Sequence, residues 1–269
     1  MPGELTALNA ADDRVQAAVA TALRTRAVPA NLEPSVGSAA GDKAAPFVDG
    51  CNLSWTDTVQ PECSYTSGSP KVVLFGDSHA AQWFPPLEQV AQRRHWQLES
   101  LTVVLGVARH YGSDYHLSVY DSAWNAAWPS MVRQIHATGA TVLVMGPTPK
   151  PPADVPTCVS EHLADVRGCD FSYASAVNAG GMAAERRAVE RAGGSYLEVP
   201  RWMCSSRTCA VVVGNLLAYR DDNHLTTTFT RWLAPAVDLA IIVDASPGAV
   251  AALSRSARCR FGPVLAMGG

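Results

Sequence analysis

The sequence lacks three features that would each point to a particular class of protein. No uninterrupted apolar segment in its 269 residues is long enough to span a bilayer. The formal net charge is −3 and there is no run of Lys or Arg, so nothing favours nucleic-acid binding. The opening MPGELTALNAADDRVQ has acids where a signal peptide needs basic residues, and no continuous apolar core. We therefore expect the chain as written to be soluble, with no export signal and no nucleic-acid partner.

The cysteines argue against a cytosolic protein. Six of the seven fall into couples that are close in sequence and bracket polar or Pro/Gly-containing loops: Cys51 with Cys63, Cys158 with Cys169, and Cys204 with Cys209. Loops closed in this way are typical of oxidising compartments. Zinc ligation fits less well because no C-x-x-C motif occurs, and six unrelated free thiols are the remaining alternative. If the couples are disulfides, we expect an extracytoplasmic domain that is part of a larger exported or membrane-attached protein.

Apolar content of 48% with 17% charged residues fits a globular fold. From Lys71 onwards, continuous apolar runs alternate with segments of helical periodicity. The predicted strands are Val72–Phe75, Trp96–Gly106, Ala140–Gly146 and Ser195–Pro200. The predicted helices are Leu8–Ala27, Gln82–His95, Trp124–Thr138, Tyr173–Gly194 and Thr226–Val243, the last bent at Pro235. This alternation predicts an α/β fold, a three-layer α/β/α sandwich with a central, mostly parallel sheet.

Composition divides the chain into three parts. Residues 1–50 are predicted to form an N-terminal helix and a linker rich in Pro, Gly, Ala and Ser. Residues 51–245 are predicted to form the main compact domain, and residues 246–269 a flexible C-terminal tail.

The stretch KVVLFGDSHAAQW places Ser78 where a predicted strand ends and a helix begins. A serine is a poor nucleophile unless a base takes its proton and a third group orients that base. The helix start would also offer free backbone N–H groups to a developing oxyanion. The alternative is an ordinary helix-capping turn, since serine is common at such positions.

The stretch AYRDDNHLTTTFTRW offers the other two groups. Asp221 precedes His224 by three residues, so one loop can place the carboxylate against one imidazole nitrogen and leave the other facing Ser78. The alternative has Asp222 or Asn223 capping the next helix and His224 on the surface.

Together, FGDSHAAQW and YRDDNHLT resemble the first and last blocks of the SGNH (GDSL-type) hydrolases. More narrowly, they are similar to the SGNH domains attached to membrane acyltransferases of the acyltransferase-three family, which O-acylate cell-envelope glycans in bacteria. The segments PANLEPSVGSAAGDKAAPFVDGC and CSSRTCAVVVGNLLAYRDDNHLT resemble the same group. The resemblance covers roughly Val28–Ile242 and implies an SGNH-hydrolase-like, flavodoxin-like form of the α/β fold.

The resemblance implies Ser78 as nucleophile, His224 as base and Asp221 as its partner, with the Ser78 backbone N–H as one oxyanion donor. It implies no cofactor and no metal. His79, which follows the nucleophile as in the narrower group, is a candidate for lining the acyl or acceptor pocket, the alternative being a hydrogen bond within the turn. Asp77 is expected to brace the turn through backbone N–H groups.

The inner blocks depart from the family pattern. Gly106 in VVLGVARH can stand for the glycine that follows the second strand. Where the family has Gly-x-Asn-Asp, this chain reads GPTP, so no asparagine is present. Asn125 in SAWNAAW and Thr148 are therefore the alternative oxyanion donors.

We accordingly expect an extracytoplasmic serine O-acyltransferase or esterase domain, the soluble part of a larger membrane protein. A membrane acyltransferase domain would deliver the acyl donor, a cell-envelope glycan would accept the acyl group, and the domain would be monomeric. A carbohydrate O-acetyl esterase and a non-catalytic glycan-binding domain are the alternatives. A metallophosphoesterase is less favoured, because Leu216 stands where its Gly-Asn-His motif needs histidine and no Gly-His-x-His occurs.

Overall fold

The computed structural model describes residues 2–54, 56–104, 117–243 and 264–267. Its centre is a sheet of six parallel strands: β1 (Asn52–Ser54), β2 (Lys71–Gly76), β3 (Gln97–Val104), β4 (Val142–Met145), β6 (Ser195–Leu197) and β10 (Val264–Met267). The strands lie in the order β1-β3-β2-β10-β4-β6. Two short antiparallel pairs are added: β5 (Phe171–Ser172) with β7 (Thr208–Cys209), and β8 (Val212–Val213) with β9 (Leu216–Leu217).

The α-helices are α1 (Pro2–Ala22), α2 (Ser78–Ala81), α3 (Phe84–Arg94), α4 (Leu117–Ala137), α5 (Val155–Glu161), α6 (Tyr173–Ala176), α7 (Ala179–Arg191), α8 (Thr227–Trp232) and α9 (Ala234–Val243). Short 3-10 helices occupy Val36–Gly41, Ala45–Phe47, Val166–Gly168 and Val199–Trp202.

The sheet separates two apolar cores. Alternate residues of a strand point to opposite faces, and in β4 Leu143 and Met145 enter a core packed by α1, α3 and α9. Val142 and Val144 enter the second core, which α4 and α7 cover. All four side chains are at most 1% exposed. The predicted three-layer α/β arrangement with a parallel sheet is therefore confirmed.

Two predicted boundaries differ from the structure. The helical periodicity predicted over Thr226–Val243 is divided between α8 and α9, because Pro235 lies in the first turn of α9 rather than inside one bent helix. The predicted flexible tail over 246–269 does not hold for Val264–Met267, which pair with both β2 and β4. The run Val-Leu-Ala-Met is apolar throughout, which suits a strand enclosed between two neighbours.

The predicted boundary near residue 51 separates two parts that share one core. Val15 and Val19 of α1 are 4% and 3% exposed and belong to the same cluster as Val237 of α9. The buried Asp12 accepts a hydrogen bond from Trp202 Nε1 at 3.1 Å and also pairs with Arg201. The N-terminal helix is thus packed against the sheet's own helices.

Three disulfides join the cysteine couples that the sequence singled out: Cys51–Cys63, Cys158–Cys169 and Cys204–Cys209. Bonds that close short loops contribute about 2–4 kcal/mol each, mainly by restricting the unfolded chain. Within the described ranges, no helix combines the length and apolarity needed to cross a membrane.

Candidate active site

The turn after β2 presents Ser78 at the carboxyl edge of the sheet. Gly76 ends the strand with a φ of 150°, a conformation that favours glycine. Asp77 then caps α2, because its Oδ1 accepts the backbone N–H of His79 at 2.8 Å. The expected bracing role of Asp77 is confirmed. Ser78 is the first residue of α2, so its own N–H has no partner within the helix.

The loop between β9 and α8 brings the other two predicted residues to this serine. His224 Nε2 lies 3.0 Å from Ser78 Oγ, across 146 positions of sequence. His224 Nδ1 lies 2.9 Å from Asp221 Oδ2. Ser78, His224 and Asp221 thus form one continuous hydrogen-bonded chain. With Nδ1–H donated to the carboxylate, Nε2 is free to accept the serine proton.

Asp221 is held as a carboxylate by several donors. Its Oδ1 accepts the backbone N–H groups of Asn223 at 2.7 Å and His224 at 2.5 Å, while Oδ2 accepts from the imidazole. Burial opposes ionisation, but these hydrogen bonds outweigh it and lower the pKa of Asp221 to about 2. The carboxylate is therefore ionised throughout the physiological range and fixes the orientation of the ring.

His79 forms a second Asp–His pair beside the first. Its ring stacks on that of His224, with centroids 5.2 Å apart and planes inclined by 24°. Nε2 lies 3.2 Å from Asn223 Oδ1, and Nδ1 lies 3.8 Å from Asp77 Oδ1. Burial favours the neutral ring, but Asp77 and Asn223 outweigh it and raise the pKa of His79. The pKa of Asp77 is lowered because bonds from His79 outweigh its own burial.

Gln82, which the sequence analysis did not single out, connects three segments of the site. The side chain is 2% exposed. Its Nε2 donates to Thr148 Oγ1 at 2.7 Å, and its Oε1 accepts the backbone N–H of Leu225 at 2.7 Å. The spacing was a usable signal, because a residue four positions after Ser78 lies on the same side of a helical turn.

The predicted oxyanion donors differ in how they are connected to the Ser78 turn. Thr148 follows β4 and is tied to the nucleophile turn through Gln82, so its own hydroxyl proton is free to donate elsewhere. Asn125 lies in α4, and no described contact joins it to Ser78 or His224; its Oδ1 is buried without a hydrogen-bond partner among the described residues. Gly106 lies outside the described residues.

The N-terminal linker also reaches the site, a contact that the sequence analysis did not predict. The ring of Phe47 meets the His224 ring edge-on, with centroids 5.8 Å apart and planes inclined by 78°. Asp42 Oδ2 accepts the backbone N–H of Thr228 at 2.9 Å, and the Asp42 carbonyl accepts that of Thr227. A segment predicted as a connector therefore contacts the loop that carries His224.

Comparison with known proteins gives a family and a fold. The model of the family described as SGNH domain (fused to AT3 domains) matches residues 50–104 and 97–238. A solved structure, the periplasmic domain of a lipopolysaccharide acetyltransferase from Salmonella ser. Paratyphi A, superposes with a TM-score of 0.52 at 16% identity. The match covers 66% of this chain and 85% of that one, and at this identity it bears on the fold alone. No curated protein matches the chain significantly by sequence.

Proposed function

Since the chain belongs to the family of SGNH domains that occur fused to AT3 domains, we propose that it is a serine-dependent O-acyltransferase or esterase working through an acyl-Ser78 intermediate. The observation that carries the proposal is the chain of two hydrogen bonds from Ser78 Oγ to His224 Nε2 and from His224 Nδ1 to Asp221. No other described serine combines a histidine base with a carboxylate that orients it.

In the first half-reaction, Ser78 Oγ attacks the carbonyl carbon of the acyl donor while His224 Nε2 takes the hydroxyl proton. The tetrahedral intermediate collapses when the bond to the leaving group breaks, and His224 returns the proton to that group. In the second half-reaction an acceptor hydroxyl gives its proton to His224 and attacks the acyl-serine. The new ester leaves and Ser78 recovers its proton.

The oxyanion of both intermediates needs donors close to Ser78 Oγ. We assign the Ser78 backbone N–H to this role and the Thr148 hydroxyl as a second donor. Thr148 is supported by its bond to Gln82, which leaves the hydroxyl proton available. Asn125 is the alternative second donor, since its half-buried side-chain amide carries N–H groups that can donate.

The acceptor class that we propose is a hydroxyl of a cell-envelope glycan, with the donor delivered by the membrane domain that this family carries alongside it. The three disulfides support an extracytoplasmic location, because such bonds persist in oxidising compartments. Transfer and hydrolysis share the acyl-serine and differ only in whether a sugar hydroxyl or water attacks it. The family association favours transfer.

The test is intact-mass spectrometry after incubation with p-nitrophenyl acetate. The wild type should gain one acetyl group and release p-nitrophenol, whereas Ser78→Ala should do neither. Ser206→Ala, a change at an exposed serine, is the matched control and should behave as wild type. An adduct that persists in Ser78→Ala would exclude Ser78 as the nucleophile.

A second arm separates transfer from hydrolysis. Adding chitotetraose should speed p-nitrophenol release and give acetylated sugar if the domain transfers the acyl group. Release that is unchanged by the sugar and yields only acetate would identify an esterase. Absence of any adduct in a folded wild type would favour a glycan-binding role.

A further inference from the structure

A buried arginine lies directly beside the Asp221–His224 pair. Arg220 is 5% exposed, and its backbone N–H donates to the carbonyl oxygen of His224 at 2.9 Å. Its Nε lies 3.9 Å from Asp221 Oδ2, the oxygen that also accepts from His224 Nδ1. Because a guanidinium stays charged in proteins, a permanent positive charge acts on the carboxylate that orients the ring.

This cation is incompletely paired. Arg220 Nε is buried and forms no hydrogen bond within the part of the chain that the structure describes. Burial lowers the pKa of Arg220, against the opposing influence of Asp221 and Asp42. Burying a charge without full hydrogen bonding costs free energy. Such a cost beside a reactive group is a common sign of a functional role.

The linker residue Phe47 holds the guanidinium in place. The central carbon of the Arg220 guanidinium lies 4.5 Å from the centre of the Phe47 ring, a cation–π contact. The same ring meets His224 edge-on, so Phe47 touches both the cation and the base. The family match begins at residue 50, so this contact comes from a segment outside the matched region.

We propose that Arg220 is a positioning residue, held by Phe47, whose charge orients the Asp221 carboxylate against the His224 ring before Ser78 attacks. The inference rests on the proposed function. If the cation is removed, the Asp221 carboxylate should stabilise an imidazolium more strongly, and the ring should take up a proton more readily. The other charged or titratable groups around the pair are Asp42 on the linker, Asp77 and His79 at α2, and Asp222 on the same loop.

The test compares pH profiles of kcat/KM for p-nitrophenyl acetate. Arg220→Met removes the charge but keeps an apolar stem against Phe47. Its acid limb should move to higher pH by about half to one unit, with kcat reduced about tenfold and KM within about twofold of wild type. Arg220→Lys, which restores the charge, should return the limb towards the wild-type position. Arg231→Gln removes an exposed arginine from α8 and should leave the profile unchanged.

An acid limb that stays in place in folded Arg220→Met, or that moves equally in Arg220→Lys, would overturn the proposal. If Arg220→Met does not fold, the same pH profile is measured for Phe47→Leu, because this variant keeps the guanidinium and removes the ring that holds it. Its acid limb should move in the same direction by a smaller amount, and a limb identical to wild type would contradict the role of Phe47.

A measurement without substrate separates this inference from the proposed function. The His224 ring can be titrated by NMR in the wild type, Arg220→Met and Arg220→Lys, with the signal assigned from its loss in His224→Gln. The midpoint in Arg220→Met should lie above the wild-type midpoint and should return in Arg220→Lys. If the midpoint moves but no wild-type acyl adduct forms, the proposed function fails and the positioning role stands. If an adduct forms and the midpoint does not move, the positioning role of Arg220 fails and the proposed function stands.

Discussion

Two Asp–His pairs lie side by side in this site, and only one of them reaches the serine. Asp77 and His79 sit at the start of α2, while Asp221 and His224 share the loop before α8. In both pairs the carboxylate also accepts backbone N–H groups of its own turn. The difference lies at the far ring nitrogen, which meets Ser78 Oγ at 3.0 Å in one pair and Asn223 Oδ1 at 3.2 Å in the other. The group that faces Nε2, rather than the presence of an Asp–His pair, sets His224 apart as the candidate base.

Replacing the two histidines should separate the pairs most sharply. His224→Gln should lower kcat by at least about 10⁵-fold, because no group then accepts the serine proton. His79→Gln should lose less than about tenfold, which is the scale of one neutral hydrogen bond. Steady-state hydrolysis of p-nitrophenyl acetate measures both. Comparable losses in the two variants would mean that His79 takes part directly in proton transfer.

The carboxylates give a second, slightly smaller contrast. Asp221→Asn should reduce kcat by roughly 10³–10⁴-fold, because an amide no longer fixes the tautomer in which Nε2 accepts a proton. Asp77→Asn should cost about tenfold or less, since asparagine is also a good helix cap. Asp222→Asn changes an exposed neighbour and should stay near wild type. A larger loss in Asp222→Asn than in Asp221→Asn would move the orienting carboxylate by one position.

The smallest expected effect is on stability in acid. The pKa of Asp221 falls from its ordinary value of 3.8 to about 2 in the folded protein, so the unfolded chain binds more protons between those values. The stabilisation is therefore complete above about pH 4 and is lost as the pH falls towards 2. Urea unfolding at several pH values should show a shallower decline in the free energy of unfolding for Asp221→Asn than for wild type. Asp222→Asn is the control, and equal slopes for all three proteins would contradict the linkage.

Much of the fold followed from local patterns. The continuous apolar runs of β2 and β4 and the helical periodicity of α3 predicted elements close to those observed. In β4 all four residues are buried, as expected for a parallel strand covered on both faces. The short strands β7, β8 and β9 carried no such signal, since two residues show no periodicity. The strand Val264–Met267 was missed because its surroundings are rich in glycine, alanine and serine.

The candidate site likewise contains residues that the sequence singled out and contacts that only the structure shows. The sequence by itself determined the candidates Ser78, Asp221 and His224. Each motif alone left a helix-capping turn as the alternative, but FGDSHAAQW and YRDDNHLT together resemble the first and last blocks of the SGNH hydrolases. Only the tertiary structure decided which other residues surround these three. Gln82 ties Thr148 to Leu225, and His79 stacks on His224. Phe47 of the linker contacts both His224 and Arg220. These contacts join residues from about 60 to 180 positions apart in the printed sequence, and their distances are fixed by sheet order and core packing, which no local spacing encodes.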